Sequence, residues 1–320
     1  MPEVNPKFVT TAEEVDSWVL LTPEEVAKFS PDQVRAPAGT DIGGQWIADV
    51  HAGSATALHE NVRLEPGMTE EEFLATLTDE ERAAIANTEE ELAEEPPTDA
   101  SVEEGGFVDE NGLWTEDRRA LHQQILDAIF TDEAIAAATP EAGEDSTVIF
   151  MGGRPGSGKT TTLKAVGLGF DESKYLVINS DDIKAQLPGY LPHLAGLYHE
   201  ESGHIVDRVE DIARSKGLNV VYDSTMRTTR GVLSRVAAYK DAGYALEGHY
   251  IYASPLTSAQ RSVKRFMKGG RFVPPRLSLT SQSNERSFDT VAKGFRKWAV
   301  YNNNGSFAEG PTLVAEGGTE

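Results

Sequence analysis

The chain contains no cysteine among its 320 residues, which excludes disulfides, thiolate catalysis and zinc sites built from cysteine. The sequence also lacks a basic stretch followed by an apolar run near its start. No segment reaches the roughly 18 uninterrupted apolar residues of a membrane span. We therefore expect a soluble, cytoplasmic protein with no membrane partner. Aromatic residues make up only 8%, but the hydrophobic content of 39% is sufficient for a buried core.

Basic residues are scarce in the first part of the chain. Residues 1–145 contain 7 Lys and Arg against 35 Asp and Glu, a net charge of −28, whereas residues 146–320 contain 22 and 17, a net charge of +5. Such an asymmetry indicates two parts with different roles. We predict an acidic N-terminal extension over residues 1–110, mostly helical and partly disordered, followed by a second domain over residues 111–320.

The extension contains helix-start signals and one distinctive loop. Thr22 and Thr69 each precede acidic residues, which favours capped helix starts. Glu89 to Glu104 is rich in glutamate and contains two prolines, so we expect a solvated linker or disordered tract that ends near Gly105–Gly106. Val34 to Asp49 is predicted to be a loop, and it resembles a short element of proteins encoded by phages and prophages of actinobacteria.

A phosphate-binding loop follows an apolar strand. Residues 146–151 have the β-branched and aromatic content of a buried parallel strand, and residues 161–166 can open a helix. Between them the sequence fits G-x-x-x-x-G-K-[ST], in which backbone N–H groups converge on phosphates and the lysine contacts the outer ones. The threonine that ends the motif would hold Mg²⁺. The predicted nucleotide-binding residues are Gly153, Arg154, Pro155, Gly156, Ser157, Gly158, Lys159, Thr160 and Thr161.

Carboxylates stand at the ends of two further predicted strands. The strand over residues 175–179 leads to Asp181 and Asp182, and the strand over residues 218–222 leads to Asp223. In an open parallel sheet these positions line the ligand crevice. Asp223 is therefore a candidate metal-binding residue together with Thr160, and the aspartate pair supplies a candidate base for an acceptor hydroxyl. This pattern predicts an α/β phosphate-loop kinase that uses ATP and Mg²⁺.

A basic segment supplies cations for the transferring phosphate. Arg261 and Arg265 are four residues apart and would share a helix face, while Gly269–Gly270 would allow the loop with Arg271 to move. We predict a lid that closes over the triphosphate, because phosphoryl transfer spreads negative charge over the equatorial oxygens. The alternatives are a basic solvated helix and a nucleic-acid-binding patch.

Four motifs resemble the zeta toxin family in order and rough spacing. They are "GGRPGSGKTT", "NSDDIKAQLPGY", "GLNVVYDSTMRTT" and "KRFMKGGRFVPP", and the resemblance extends over about residues 113–305. The family consists of phosphate-loop kinases of toxin–antitoxin systems that phosphorylate UDP-N-acetylglucosamine. The resemblance therefore implies the same fold, ATP and Mg²⁺, this sugar nucleotide as substrate and an antitoxin partner.

The resemblance also assigns residues. It implies that Asp181 is the catalytic base, that Lys159 with Arg265 and Arg271 stabilises the transferred phosphate, and that the acceptor contacts are Lys184, Asp207, Thr225 and Arg227. Two departures from the family pattern lie near the acceptor: Leu187–Pro188 replaces His-Pro, and Asp223–Ser224 replaces Glu-Gly.

Other functions share parts of this pattern. The same fold could phosphorylate a nucleoside, a polynucleotide end or an antibiotic. A nucleotide-binding phage virion or assembly protein, with Val34 to Asp49 as its interaction element, is an alternative of another class. The acidic extension could also inhibit the enzyme by masking the basic lid.

Overall fold

The structure is a computed structural model that describes residues 68–166, 171–279, 283–305 and 310–319. These residues belong to one compact unit, and within them no helix is long and apolar enough to cross a membrane. The predicted helix start at Thr22 and the loop from Val34 to Asp49 lie outside the described residues. The boundary expected near Gly105–Gly106 falls inside the compact unit.

The described residues form an alternation of helices and strands after an initial helical region. The helices are α1 (Glu70–Ala75), α2 (Asp79–Glu94), α3 (Glu116–Ile129), α4 (Asp132–Ala138), α5 (Lys159–Val166), α6 (Ser180–Lys184), α7 (His199–Lys216), α8 (Thr229–Asp241), α9 (Pro255–Phe266), α10 (Pro275–Leu279) and α11 (Ser283–Ala292). The strands are β1 (Thr147–Gly152), β2 (Leu176–Asn179), β3 (Val220–Asp223), β4 (Ala245–Tyr252), β5 (Lys297–Asn302) and β6 (Thr312–Gly317).

The strands form one sheet in the order β2-β3-β1-β4-β5-β6. The first five are parallel, and β6 pairs antiparallel with β5. Asp223 is in register with Met151 of β1 on one side and with Asn179 of β2 on the other. The carboxyl ends of these three strands therefore meet at one edge, where open α/β sheets bind ligands. The predicted α/β fold with a largely parallel sheet is confirmed.

Alternate residues of β1 enter two different cores. Ile149 and Met151 pack with apolar residues of the neighbouring strands in one buried cluster. Phe150 points to the other side, where its ring stacks on Phe295 and meets Tyr239 of α8 edge to face. Burial of both faces explains why β1 is continuously apolar rather than alternating.

The described part of the acidic extension folds onto the rest of the chain. Thr69 and Thr78 each form a capping box that starts a helix, as predicted for Thr69. The prediction of a linker over Glu89 to Glu104 is wrong, because α2 continues to Glu94 and the following segment forms hydrogen bonds with the residues just before α7. There, the Thr98 amide donates to the Leu197 carbonyl at 2.9 Å. The tertiary contacts that order this glutamate-rich stretch are not visible in its composition.

A buried ionic cluster joins α3 to α7. The Arg118 guanidinium donates twice to the Glu201 carboxylate, at 2.6 and 2.8 Å, and the His122 ring nitrogen Nε2 lies 2.6 Å from the same carboxylate. Phe107 stacks on the guanidinium with its ring centroid 4.0 Å away. Burial alone would raise the pKa of Glu201, but hydrogen bonds from His122 and Arg118 outweigh it and lower the pKa to about 2.

This cluster predicts an acid-labile fold. Because the folded-state pKa of Glu201 lies below its ordinary value of 4.5, its stabilising effect is complete above about pH 4.5 and is lost as the pH falls towards about 2. We expect Glu201→Gln to lower the free energy of unfolding at neutral pH and to flatten its decline in acid. Urea unfolding at a series of pH values measures both effects. The exposed neighbour Glu200 supplies the control Glu200→Gln, which should change neither.

Candidate active site

The phosphate loop connects β1 to α5 as the sequence predicts. β1 ends at Gly152 and α5 begins at Lys159. Gly156 has a φ of +82°, and a Cβ there would lie 2.3 Å from the Ser258 carbonyl oxygen of α9. Only glycine allows this backbone conformation and this close approach. The loop is thereby packed directly against the helix that continues into the basic segment.

A buried ion pair fixes the phosphate loop to α11. Arg154 is 2% exposed, and its guanidinium donates to both carboxylate oxygens of Glu285 at 2.8 Å and to the Ser278 carbonyl at 2.9 Å. The Tyr250 hydroxyl donates to the same carboxylate at 3.0 Å. Since the guanidinium is engaged inside the protein, Arg154 shapes the loop instead of contacting a nucleotide through its side chain. Its backbone N–H remains part of the phosphate loop, so the prediction that Arg154 takes part in nucleotide binding stays a prediction.

The chain after β5 holds the loop from the other side. The Asn303 side-chain amide donates to the Ser157 carbonyl at 2.7 Å. Arg261 donates to the carbonyls of Asn303 and Gly305, each at 2.7 Å. Arg261 therefore stabilises the support of the phosphate loop, while the other basic residues of α9 remain available for different contacts.

Lys159 and Asp223 face each other at the loop. The Lys159 ammonium donates to the Gly153 carbonyl at 3.0 Å and lies 3.9 Å from Asp223 Oδ1. Burial lowers the pKa of Lys159, and burial raises the pKa of Asp223. Asp223 Oδ2 accepts from the Asn179 side chain at 3.2 Å, while Oδ1 is buried with no hydrogen-bond partner among the described residues.

This unpartnered oxygen is the observation that fits a divalent cation. A buried carboxylate oxygen without a donor is costly unless it receives one or binds a metal. Thr160 is exposed in the first turn of α5, where its hydroxyl can serve as the second protein ligand. An oxygen donor set of this kind suits Mg²⁺.

Asp181 lies in a cationic setting at the start of α6. Its Oδ1 accepts from Arg271 Nη1 and lies 3.5 Å from the ammonium of Lys184, whose side chain is only 4% exposed. Burial raises the pKa of Asp181, but the charges of Arg271 and Lys184 outweigh burial and hold it below its ordinary value. The carboxylate is therefore ionised at neutral pH. Lys184 contacts this carboxylate rather than standing free for an acceptor.

Arg265 and Arg271 belong to the same charge cluster. Burial lowers the pKa of Arg265, and the neighbouring positive charge of Arg271 lowers it further. Both arginines and Asp181 also act electrostatically on Lys159. Arg271 Nε is buried and has no hydrogen-bond partner in the described part of the chain. The structure thus brings the four predicted catalytic residues together.

The proposed acceptor residues after β3 lie in a strained loop. Met226 is buried and adopts a left-handed conformation, with a φ of 52°, which is unfavourable for a residue with a side chain. Of its neighbours, Thr225 is half-buried and Arg227 is exposed. The Asn284 side chain of α11 donates to the Thr225 carbonyl at 2.6 Å, which ties this loop to the helix that also holds Arg154.

Asp207 is engaged in a different contact. Its carboxylate pairs with Arg235 of α8 at 2.6 Å, and its side chain is 66% exposed. His199, at the start of α7, is the residue of that helix on which Lys184, Arg271 and Arg227 act electrostatically, and burial together with these cations lowers its pKa. The structure therefore ties Asp207 to α8, and its contact with an acceptor stays a prediction.

Sequence reasoning missed the residues that support the loops. Glu285, Asn284 and Asn303 belong to no recognised motif, and Asn179 precedes the aspartate pair without a signal of its own. The unusual arginine inside the glycine loop was the one available clue, because a buried guanidinium requires a carboxylate partner.

The anchoring pair generates a stability prediction. We expect Arg154→Ala to lower the free energy of unfolding by about 3–5 kcal/mol, since Glu285 would be left buried and uncompensated. Arg296→Ala is the matched control, because the Arg296–Glu247 pair at 2.6 Å has an arginine that is 53% exposed and should contribute about 0–1 kcal/mol. Denaturant unfolding measures both. Equal losses in the two variants would contradict the anchoring role.

Comparisons with known proteins agree with this fold. Toxin zeta of Enterococcus hirae is 26% identical over 136 residues, which cover 39% of this chain and 46% of that protein. Toxin zeta of Streptococcus pyogenes matches with the same identity and coverage. The chain thus spans about half the length of the curated relatives it matches.

Solved structures show the same architecture. A crystal structure of AvrRxo1-ORF1:AvrRxo1-ORF2 with sulphate ions is similar with a TM-score of 0.50 and 20% identity, over 65% of this chain and 69% of that one. This likeness concerns the fold alone. A family model described as "Zeta toxin" matches residues 132–308, which is more than half of the chain. The chain therefore belongs to the zeta toxin family.

Proposed function

We propose that the chain is an ATP-dependent kinase that phosphorylates a hydroxyl of UDP-N-acetylglucosamine and acts as a toxin. The observation behind this proposal is the meeting of an ionised carboxylate, Asp181, with Lys159, Arg265 and Arg271 beside a phosphate loop. A nucleotide-binding protein without catalysis would need the loop but not the carboxylate. The virion or assembly alternative lacks a supporting observation among the described residues.

The geometry supports a direct phosphoryl transfer. Asp181 accepts the proton of the acceptor hydroxyl while the hydroxyl oxygen forms a bond to the γ-phosphorus of ATP, and the bond from that phosphorus to the β,γ-bridging oxygen breaks to release ADP. Arg265 and Arg271 stabilise the charge on the equatorial oxygens. For this step Lys159 exchanges its contact with the Gly153 carbonyl for the phosphates.

Thr160 and Asp223 are the residues that would hold Mg²⁺. The ion would neutralise charge on the outer phosphates when bound. Asn179 contributes by fixing one oxygen of Asp223 through its hydrogen bond, which leaves the other oxygen directed to the site.

The acceptor side favours an anionic substrate. Lys184, Arg271 and Arg227 act on His199 with positive charge and Glu200 with negative charge, while Lys184 and Arg271 also contact Asp181. A diphosphate linked to a sugar complements such a surface, whereas a cationic aminoglycoside would be repelled. UDP-N-acetylglucosamine is therefore proposed on two grounds, the motif resemblance and this charge distribution.

We further propose an antitoxin partner, because the chain belongs to a family whose curated relatives are named toxins. An ATP-consuming kinase of a cell-wall precursor needs a means of restraint in its own cell.

A polynucleotide acceptor is the second candidate, and one observation favours it. Lys264 and Lys268 are exposed and line an open pocket with Arg261, Arg265 and Gly270. Such a cluster can attract a phosphate backbone, in which case binding would weaken steeply with salt.

An acceptor panel tests the proposal. The purified chain is incubated with ATP and Mg²⁺ and with UDP-N-acetylglucosamine, nucleosides, oligonucleotides or aminoglycosides in parallel, and products are identified by mass. We expect a phosphorylated product from the sugar nucleotide, since the acceptor side is cationic. A phosphorylated oligonucleotide as the sole product would show that the acceptor is a polynucleotide instead of the sugar nucleotide. If no acceptor is phosphorylated, the kinase proposal is contradicted.

The base assignment has a matched pair of variants. We expect Asp181→Asn to lower kcat by about 10²–10⁴-fold, because the amide cannot accept the proton, while ATP binding persists. Asp182→Asn alters the adjacent, exposed carboxylate and should retain most of the activity. Steady-state kinetics and ATP binding by calorimetry measure the two effects. An active Asp181→Asn variant beside an inactive Asp182→Asn variant would transfer the role to Asp182.

A further inference from the structure

The two helices α1 and α2, together called the acidic hairpin (Glu70–Glu94), share a core with the basic segment. They precede residues 132–308, which the family model matches. Phe73 and Ile85, which are 0% and 2% exposed, belong to one buried cluster with residues of α9 and α10 and of the loop between them. The partners in that cluster are Ala259, Val263, Phe272 and Leu279.

Two of the apolar partners are close in sequence to the cations of the proposed site. Val263 lies on α9 two residues before Arg265, and Phe272 directly follows Arg271. The backbone that carries both arginines is therefore held by its contact with Phe73 and Ile85. Because packed interiors transmit displacement, a change in the hairpin shifts the guanidinium groups.

Polar contacts fix the same interface at α10. The backbone amide of Arg276 donates to the Glu70 carboxylate at 3.0 Å, and its guanidinium donates to the Glu89 carboxylate at 2.7 Å. These two carboxylates come from different helices of the hairpin. They clamp the end of the segment that follows Arg271.

The hairpin also contacts the segment before α7. Glu91 lies 3.5 Å from His193, and Leu92 packs at Gly196. The Phe272 amide in turn donates to the Pro192 carbonyl at 3.1 Å. The acidic hairpin thus touches both the basic segment and the segment that leads into His199.

We propose that the acidic hairpin is a positioning element that holds Arg265 and Arg271 in place for phosphoryl transfer. The inference rests on the proposed kinase activity. It differs from masking of the lid, because the hairpin occupies the apolar side of α9 while Lys264 and Lys268 remain exposed. The described part of the extension supports the site instead of covering it.

Two buried isoleucines allow a matched test in the full-length protein. Ile85 of the hairpin is 2% exposed and Ile125 of α3 is 3% exposed, and both precede the family region. Both Ile85→Ala and Ile125→Ala remove the same buried atoms. We expect Ile85→Ala to lower kcat by about tenfold to a hundredfold through misplacement of the arginines, with little change in the KM for ATP, which the phosphate loop sets. Ile125→Ala should retain kcat at temperatures where it is folded.

Hydrogen exchange supplies a readout that is independent of turnover. Amides of residues 261–279 should exchange faster in Ile85→Ala than in the wild type, and at the wild-type rate in Ile125→Ala. If Ile85→Ala does not fold, the double variant Glu70→Gln and Glu89→Gln weakens the same interface without a cavity, and the same loss of kcat with faster exchange is expected.

The outcomes separate this inference from the proposed function. Wild-type turnover with unchanged kcat in the hairpin variants would overturn the positioning role alone. Higher kcat in the hairpin variants would overturn it in favour of masking, and equal losses in Ile85→Ala and Ile125→Ala would reduce it to general stability. Absence of wild-type turnover with every acceptor would refute the kinase proposal and the catalytic role of the hairpin with it.

Discussion

The buried ion pair between Arg154 and Glu285 is the interaction on which the candidate site depends. A phosphate loop must hold its backbone N–H groups in one arrangement before an anion arrives, and glycines by themselves make such a loop loose. Here the loop is fixed to α11 by a guanidinium with three charge-assisted or carbonyl hydrogen bonds. The adjacent residue of α11, Asn284, holds the carbonyl of Thr225. One helix turn therefore fixes the phosphate loop and the loop after β3 relative to each other.

Three cations and one carboxylate lie close together at the candidate site. Lys159, Arg265 and Arg271 are close enough to affect one another, and burial lowers the pKa values of Lys159 and Arg265. Asp181 offsets part of this repulsion through its contact with Arg271. Lys159 donates to the Gly153 carbonyl, and Arg271 Nε has no hydrogen-bond partner in the described part of the chain, so both retain the capacity to donate to an anion. Under the proposed function, a bound triphosphate would reduce the repulsion among these cations.

The acidic hairpin lies outside the matched residues 132–308 and packs on the helix that carries Arg265. Its glutamates are mostly solvent-facing, and their composition resembles that of a linker. Yet Phe73 and Ile85 join residues of the matched region, among them Val263 and Phe272, in one buried cluster. An acidic exterior combined with a few buried apolar residues gives a soluble surface together with a specific contact.

The sequence by itself determined the phosphate loop, the parallel strands around it and the placement of Asp181 and Asp223 at strand ends, because these features follow from local spacing and from the periodicity of buried strands. It also indicated that Arg265 and Arg271 would lie near Lys159 and Asp181. Only the tertiary structure decided that Arg154 faces Glu285, that Lys184 contacts Asp181, that Asp207 pairs with Arg235 and that the glutamate-rich stretch is helical and packed. Each of these is a contact between residues far apart in the chain or a choice among several available partners. Such choices depend on which side chains the fold brings within a few ångströms, and local sequence does not encode that distance.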